Sequence, residues 1–289
     1  MGKLSQGKWV YQDLLPPSTD GEFKRQEQKF RGRISTPELN RYHLYVSYAC
    51  PWAHRSLIMR KLKGLEEMIP VSVVSPYMLD DGWTFIENFA GVVPDPVFGK
   101  TFLRDIYTEA DPEFTGKVTV PVLFDKKDNK IVNNESSEVI RIFNDLAGGP
   151  DYYPKESQKE IDEINDDVYE NVNNGVYKTG FARTQEAYET NFRNLFACLD
   201  RIEKRLEKRD FLVGKSLTEA DIRLFTTLVR FDPVYYVHFK CNRSLIREFK
   251  NLSQYLARLF ALPAFHSTSS TREAKTSARP SWISRKNSM

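Results

Sequence analysis

A cysteine followed by a proline is the residue pair in this chain best suited to nucleophilic chemistry. Cys50 follows an alternating apolar run at residues 42–47, and Pro51 opens a segment with the apolar spacing of a helix. Because proline suits the first helical position, the pattern predicts that Cys50 lies where a strand passes into a helix. The N–H groups and dipole of a helix start favour a thiolate there, and Arg55 adds positive charge one turn later.

The second cysteine of a two-cysteine redox motif is missing from this segment. Ala53 stands three residues after Cys50, where a Cys-x-x-Cys pair has its resolving thiol. A disulfide formed at Cys50 would therefore be resolved by an external thiol. The alternative is that Cys50 is a small buried hydrophobic residue, as single cysteines often are. The strand, proline and helix around it favour the nucleophile.

Two later segments have the chemistry to bind a peptide-like ligand. Residues 118–124 have the composition of a strand but contain Pro121, which cannot donate a ladder hydrogen bond. Either Val120–Pro121 is a cis bond that turns the Val120 backbone toward an extended peptide, or this is an edge strand with a trans proline. Further on, Asn, Glu and Ser at residues 133–138 precede a helical run at 139–146. These residue types cap helices and also form carboxylate or phosphate sites.

Periodicity divides the chain into four parts. In chain order, we predict an N-terminal extension at residues 1–38, an α/β domain at 39–150, an all-helical domain at 151–265 and a disordered tail at 266–289. The α/β domain begins as strand, helix and strand over residues 39–75, which predicts a parallel βαβ unit. It carries a long, loop-rich and aromatic insertion at 76–117, which we expect to be packed and functional. In the helical domain, Thr218 to Asp221 have the form of a capping box.

The composition is that of a globular protein. The 42 basic and 39 acidic residues nearly cancel, which argues against nucleic-acid binding. No apolar run approaches the roughly 20 residues that cross a bilayer, and the first residues lack the apolar core of a signal peptide. Three cysteines at unrelated spacing, Cys50, Cys198 and Cys241, indicate a reducing compartment, so we expect a cytoplasmic protein. Helical spacing places Cys198 in a core, and His238 near Cys241 is at most one metal ligand.

Six motifs in order resemble the xi class of glutathione transferases, the glutathionyl-hydroquinone reductases, also called omega-like transferases. The motifs are Cys50–Arg55, Asp81–Trp83, Val118–Leu123, Asn134–Ser137, Asn173–Tyr177 and Arg230–Tyr235. The resemblance covers residues 40–262. It implies the glutathione transferase architecture: an α/β thioredoxin-like N-terminal domain followed by an all-α C-terminal domain.

The resemblance implies glutathione-dependent reduction of S-glutathionyl-hydroquinones. Cys50 would attack the glutathionyl sulfur, release the hydroquinone and keep glutathione as a mixed disulfide, which a second glutathione resolves. Glutathione is then a cosubstrate, no permanently bound cofactor or metal is expected, and the protein partner is a second copy in a homodimer. Two alternatives stay open. One is an omega-like thioltransferase or dehydroascorbate reductase, and the other is a non-enzymatic carrier of glutathione or phenolic ligands.

By the same resemblance, five residues bind glutathione. Val120 pairs with the cysteinyl backbone, Glu135 binds the γ-glutamyl ammonium, and Ser136 with its helix start binds the γ-glutamyl carboxylate. Trp83 and Arg104 cover the tripeptide, with Arg104 as a carboxylate partner. The alternative for Arg104 is a solvated surface charge.

Two tyrosines of the helical domain, Tyr169 and Tyr235, match the positions that the family uses for the hydroquinone. A tyrosine can stack on an aromatic substrate and donate to a developing phenolate. Core packing is the alternative, because both lie at helical spacing. The chain departs from the family after Phe265, where residues 266–289 contain no tyrosine to supply a further substrate contact or to pack at a dimer interface.

Overall fold

The structure is a computed structural model that describes residues 2–11, 20–34 and 36–269. The chain forms two compact units. The first contains Glu27–Ala147 and the described residues 2–11, and the second contains Pro17–Gln26 and Gly148–Thr271 so far as they are described. The predicted tail lies outside the described residues from Ser270 onward.

The first unit is built on a four-stranded mixed sheet. Its strands are β3 (Tyr42–Val46), β4 (Val71–Val73), β5 (Val122–Asp125) and β6 (Lys130–Asn133), in the order β4-β3-β5-β6. Strand β3 pairs in parallel with β4 and antiparallel with β5, which itself pairs antiparallel with β6. The predicted βαβ unit is confirmed, and every residue of β3 is buried, as expected for a central strand.

Helices of the first unit begin and end where local chemistry requires. They are α1 (Pro51–Leu62), α2 (Leu103–Ala110) and α3 (Ser136–Leu146). Helix α1 starts on its proline and stops before Gly64, whose φ of 63° favours glycine. Helix α1 packs against α3. The two helices that follow the predicted site residues Cys50 and Glu135 therefore pack against each other.

The insertion at residues 76–117 is packed, as predicted, but it is not all loop. Helix α2 lies within it and buries Leu103, Ile106 and Tyr107, which have the i, i+3, i+4 spacing of one helix face. The Asp95 carboxylate organises the preceding loop by accepting the backbone N–H groups of Val97, Phe98 and Lys100. The loop-rich interpretation of the insertion therefore missed one helix.

Two strands of the N-terminal extension form a hairpin that the sequence analysis did not predict. Strand β1 (Gly2–Ser5) pairs antiparallel with β2 (Lys8–Tyr11). Gln6 and Gly7 both have positive φ, 48° and 71°, as a two-residue hairpin turn requires. Leu4 is buried and bridges to Gly116, so the hairpin is packed on the insertion.

Among the described residues of the second unit, all regular secondary structure is helical. Its α-helices are α4 (Gln158–Val168), α5 (Gly175–Gly180), α6 (Gln185–Arg205), α7 (Glu219–Arg230), α8 (Tyr236–His238), α9 (Lys250–Phe260) and α10 (Pro263–His266). Two π-helical turns, Tyr169–Asn173 and Phe231–Tyr235, follow α4 and α7. Helix α10 runs past the predicted boundary at residue 265, and the Thr268 hydroxyl still donates to the Ala264 carbonyl.

The predicted capping box opens α7. Asp221 accepts the backbone N–H of Thr218 at 2.8 Å and the Thr218 hydroxyl at 3.1 Å. It also accepts from the Leu212 N–H and the Tyr255 hydroxyl, both in the interior of the unit. Burial raises the pKa of Asp221, and these donors oppose the rise.

Candidate active site

Cys50 occupies the predicted position at the start of α1. It is the N-cap residue, with φ −84° and ψ 118°, and Pro51 takes the first helical position. The residue is half-buried, and its Sγ lies 3.6 Å from the Val120 carbonyl oxygen, within reach of an S–H donor. The structure therefore brings together Cys50 and Val120, which are 70 residues apart in the chain.

The Val120–Pro121 peptide bond is cis, as one of the two sequence interpretations predicted. The strand predicted over residues 118–124 is shorter, because β5 begins only at Val122. Two causes account for the difference. Pro121 has no N–H for a ladder, and the backbone of Thr119 pairs with the hydroxyl of Tyr107 instead of with a strand.

Tyr107 is a buried clamp behind the Val120 backbone. Its hydroxyl donates to the Thr119 carbonyl at 2.9 Å and accepts from the Thr119 N–H and the Asn134 side-chain amide, each at 3.2 Å. Burial raises the pKa of Tyr107, so the hydroxyl keeps its proton and serves as both donor and acceptor. From the sequence, Tyr107 was expected only to be one of the packed aromatic residues of the insertion.

Glu135 and Ser136 form the start of α3. Glu135 is the N-cap, and its Oε1 accepts from the N–H and hydroxyl of Ser137 at 3.0 and 2.9 Å. Ser136 is 3% exposed, and its Oγ accepts from Arg55 Nη1 at 3.4 Å. Both side chains thus sit at the positive end of a helix, where carboxylates are favoured.

Arg55 links the two helix starts. Its guanidinium is buried, lies 4.5 Å from the centre of the Trp52 ring, and reaches from α1 to Ser136 of α3. From the sequence, Arg55 was expected only to add positive charge near Cys50. The structure adds a specific role, because this cation also adds positive charge at the start of α3.

Trp83 and Arg104 lie in the insertion, where a turn and a helix meet. Trp83 is half-buried, and its carbonyl accepts the N–H of Leu103 at 3.0 Å. Arg104 Nη1 donates to the carbonyl and carboxylate of Asp81 at 2.8 and 3.0 Å, and its guanidinium lies 3.9 Å from the centre of the Phe102 ring. With its side chain 16% exposed, Arg104 is a packed residue and not a solvated surface charge.

The N-terminal hairpin packs against the turn at residues 80–82, which precedes Trp83. The indole N–H of Trp9 donates to the Asp80 carbonyl at 3.1 Å. Gly82 has φ 73°, and a Cβ there would lie 3.0 Å from the Trp9 ring, so the turn that precedes Trp83 fits only glycine comfortably. Nothing in the local sequence of the extension indicated this contact.

Tyr169 and Tyr235 each belong to a π-helical turn, a feature that is frequent at functional sites. Tyr169 begins the first turn and is half-buried. Asn173 ends that turn, and its amide donates to the Arg223 carbonyl and the Thr227 hydroxyl at 3.0 and 2.8 Å. The first asparagine of the Asn-Asn-Gly motif therefore fixes the turn that carries Tyr169.

Tyr235 ends the second π-helical turn and is 2% exposed. Its ring packs in an aromatic cluster, as the core-packing alternative proposed, but its hydroxyl lies 3.4 Å from that of Tyr177. The cluster consists of Phe23, Tyr177, Phe181, Tyr235 and Phe239. Tyr177 is half-buried. Tyr177 ends the motif Asn173–Tyr177, but no role was predicted for it from the sequence.

The remaining cysteines contrast with Cys50. All three lie in the described part of the chain, and none forms a disulfide. Burial raises the pKa of Cys198 to about 12, and burial also raises that of Cys241. The core placement predicted for Cys198 is confirmed. Within residues 2–11, 20–34 and 36–269, no three His, Cys, Asp or Glu side chains are grouped to hold a metal ion, and no helix has the length and apolarity to cross a membrane.

Comparison with known proteins places the chain in a family. Family models for the glutathione S-transferase N-terminal and C-terminal domains match residues 49–146 and 185–258. The chain is 52% identical to glutathionyl-hydroquinone reductase PcpF of Sphingobium chlorophenolicum, covering 95% of this chain and 90% of that protein. It is 49% identical to glutathionyl-hydroquinone reductase YqjG of Escherichia coli, covering 93% and 87%.

Solved structures agree with these matches. The xi glutathione-S-transferase of Phanerochaete chrysosporium superposes with a TM-score of 0.89 at 50% identity, covering 92% of this chain and 90% of that one. The glutathione-bound structure of YqjG superposes with a TM-score of 0.81 at 52% identity, covering 82% and 79%.

Proposed function

The chain belongs to the glutathione transferase family, to its xi class of glutathionyl-hydroquinone reductases, and we propose that it reduces S-glutathionyl-hydroquinones with glutathione. The observation that carries the proposal is the placement of Cys50 at the start of α1, with its sulfur 3.6 Å from the Val120 carbonyl. A nucleophilic thiol at a helix start, beside backbone able to pair with an extended peptide, is what a cysteinyl tripeptide substrate needs.

In the first step, the Cys50 sulfur attacks the glutathionyl sulfur of the conjugate. A disulfide bond forms while the bond between that sulfur and the aromatic carbon breaks. Before the attack, the ring carbon that bears sulfur takes up one proton and the neighbouring hydroxyl loses one to become a carbonyl. When the carbon–sulfur bond breaks, its electron pair passes through the ring to this carbonyl oxygen, which becomes a phenolate and takes up one proton. The products are free hydroquinone and a mixed disulfide between Cys50 and glutathione.

In the second step, a glutathione thiolate attacks the glutathione sulfur of the mixed disulfide. Glutathione disulfide leaves, and the Cys50 sulfur departs with the electron pair of the broken bond. Ala53 occupies the position of a resolving cysteine, so each turnover consumes one external thiol. Glutathione is therefore a cosubstrate, and the scheme needs no permanently bound cofactor.

For glutathione, we propose the five residues that the family resemblance indicates. The Val120 backbone pairs with the cysteinyl residue, while Glu135 binds the ammonium and Ser136 the carboxylate of the γ-glutamyl group. The buried Arg55 guanidinium beside Ser136 supports this assignment, because it adds positive charge where the carboxylate binds. Trp83 covers the tripeptide, and Arg104 is the partner of its second carboxylate.

For the hydroquinone, we propose Tyr169 and Tyr235. As the carbon–sulfur bond breaks, a hydroquinone oxygen gains negative charge, and a tyrosine hydroxyl that donates to it lowers the barrier. The half-buried Tyr169 can present its ring, whereas the buried Tyr235 acts through its hydroxyl. The burial of Tyr235 also favours a second candidate function, because a buried tyrosine has little surface to offer a substrate. This candidate is an omega-like thioltransferase or dehydroascorbate reductase, which needs Cys50 but neither tyrosine.

The family resemblance supports a homodimer as the assembled state. The three cysteines without disulfides support a reducing compartment such as the cytoplasm. Light scattering of the purified protein tests the first proposal, and localisation of the tagged full chain tests the second.

The test compares wild type with Cys50→Ser and Tyr235→Phe on two substrates, a glutathionyl-hydroquinone and a glutathione mixed disulfide of a small aliphatic thiol. We expect wild type to reduce both, Cys50→Ser to reduce neither, and Tyr235→Phe to lose turnover of the aromatic conjugate alone. Turnover by Cys50→Ser would refute the mechanism. Disulfide reduction without hydroquinone release by wild type would favour the thioltransferase, and ligand binding without either activity would favour the carrier.

A further inference from the structure

A segment of the N-terminal extension, residues 20–26, belongs to the helical unit, and we call it the strap. The Gly21 carbonyl accepts the N–H of Arg183 at 3.0 Å, and the Glu22 carboxylate accepts the side-chain amide of Asn191 at 2.9 Å. Gly21 has φ 71°, and a Cβ there would lie 2.7 Å from the Thr184 side chain. The strap is therefore held tightly against the loop before α6 and against α6 itself.

Arg25 is the residue of the strap that reaches the aromatic cluster. Its guanidinium carbon lies 4.9 Å from the centre of the Tyr177 ring and 5.3 Å from that of Phe23. Its Nε donates to the side-chain oxygen of Asn174 at 3.1 Å. The cation thus lies against two aromatic rings and is oriented by the second asparagine of the Asn-Asn-Gly motif.

Tyr177 connects this cation to Tyr235. The two tyrosine rings meet edge to face at 5.9 Å, and their hydroxyl oxygens are 3.4 Å apart. When Tyr177 donates to Tyr235, the proton of the Tyr235 hydroxyl is directed to another acceptor, and hydrogen bonds in such a chain strengthen one another. The orientation of Tyr235 therefore depends on the position of Tyr177.

We propose that Arg25 is a positioning residue for the aromatic substrate: it holds the Tyr177 ring, and through it the hydroxyl pair that includes Tyr235. This inference rests on the proposed function, in which the Tyr235 hydroxyl donates to the hydroquinone. It assigns to the N-terminal extension a part in substrate selectivity. It also explains why residue 25 is an arginine, because only arginine combines a cation that contacts two aromatic rings with a planar group that donates to Asn174.

The test is Arg25→Ala in the full-length protein, with Lys24→Ala as the matched control. Lys24 is the neighbouring strap residue, 74% exposed and paired with Asp20 at 2.6 Å, so its replacement removes the same charge without touching the aromatic cluster. We expect Arg25→Ala to lower kcat for the glutathionyl-hydroquinone by about tenfold, the scale of a partly desolvated cation–π contact. Reduction of the small mixed disulfide stays at the wild-type rate in both variants.

Three further variants separate positioning from general structural support. Arg25→Lys keeps a cation at the rings and recovers part of the lost turnover, while Tyr177→Phe alone reproduces the loss. In the Tyr177→Phe background, Arg25→Ala adds little, because the two residues act through one another. An equal fall in both activities, or a full additional loss in the double variant, would overturn the proposal. Normal hydroquinone turnover by Tyr235→Phe would also overturn the proposal, because it removes the role of the Tyr235 hydroxyl. Absence of hydroquinone release by wild type would instead refute the proposed function.

Discussion

Replacing Tyr107 with phenylalanine removes the hydroxyl that holds the backbone next to Val120. That hydroxyl makes three hydrogen bonds of 3.2 Å or less, donating to the Thr119 carbonyl and accepting from the Thr119 N–H and the Asn134 amide, while the Thr119 hydroxyl lies farther away at 3.3 Å. Each is worth about 1 kcal/mol, so we expect a loss of about 3 kcal/mol in the free energy of unfolding. The Val120 backbone also loses its support, and the KM for glutathione rises.

Tyr42→Phe is the matched control, because Tyr42 is equally buried in the same unit but its hydroxyl makes one hydrogen bond, to the Thr36 carbonyl at 3.0 Å. Tyr42→Phe should lower the free energy of unfolding by about 1 kcal/mol and leave the KM for glutathione unchanged. Thermal and denaturant unfolding measure stability, and steady-state kinetics with varied glutathione measure KM. A Tyr107→Phe variant no less stable than Tyr42→Phe, with a wild-type KM, would refute the clamp.

Three other predictions follow from the charges and thiols. Asp221→Ala leaves the donors to its carboxylate, on Thr218, Leu212 and Tyr255, without an acceptor, so it should lower the free energy of unfolding by about 3 kcal/mol. Denaturant titration measures this loss, and Tyr255→Phe, which removes only one of these donors, is the comparison. The hydrogen bond from Arg31 is the main cause that lowers the pKa of Glu138. The ion pair therefore stabilises the fold at neutral pH, and this stabilisation is lost as the pH falls through the lowered pKa. Glu138→Gln should make the free energy of unfolding fall less steeply with acid, as denaturant titrations at several pH values would show. A thiol-alkylating reagent should modify Cys50 before the two buried cysteines, as peptide mass spectrometry would show, and equal rates at all three would contradict the burial argument.

Features set by neighbouring residues were predictable. Pro51 after Cys50 places the cysteine at a helix start, since proline tolerates only the first turn of a helix. The capping box from Thr218 to Asp221 closes within four residues, so its local pattern predicts it. The longer strand predicted at residues 118–124 was wrong because, besides Pro121, the side chain of Tyr107, 12 residues before Thr119, takes the backbone groups that a ladder would use.

The sequence by itself determined the position of Cys50 at a helix start, the strand and helix order around it, and the family. Only the tertiary structure decided what supports the site: Trp9 against Gly82, Arg55 on Ser136, and Arg25 on Tyr177. These contacts join segments that are between 73 and 152 residues apart in the chain. Periodicity and capping rules act over a few residues, whereas such contacts depend on how helices, strands and loops pack, and no local pattern encodes that.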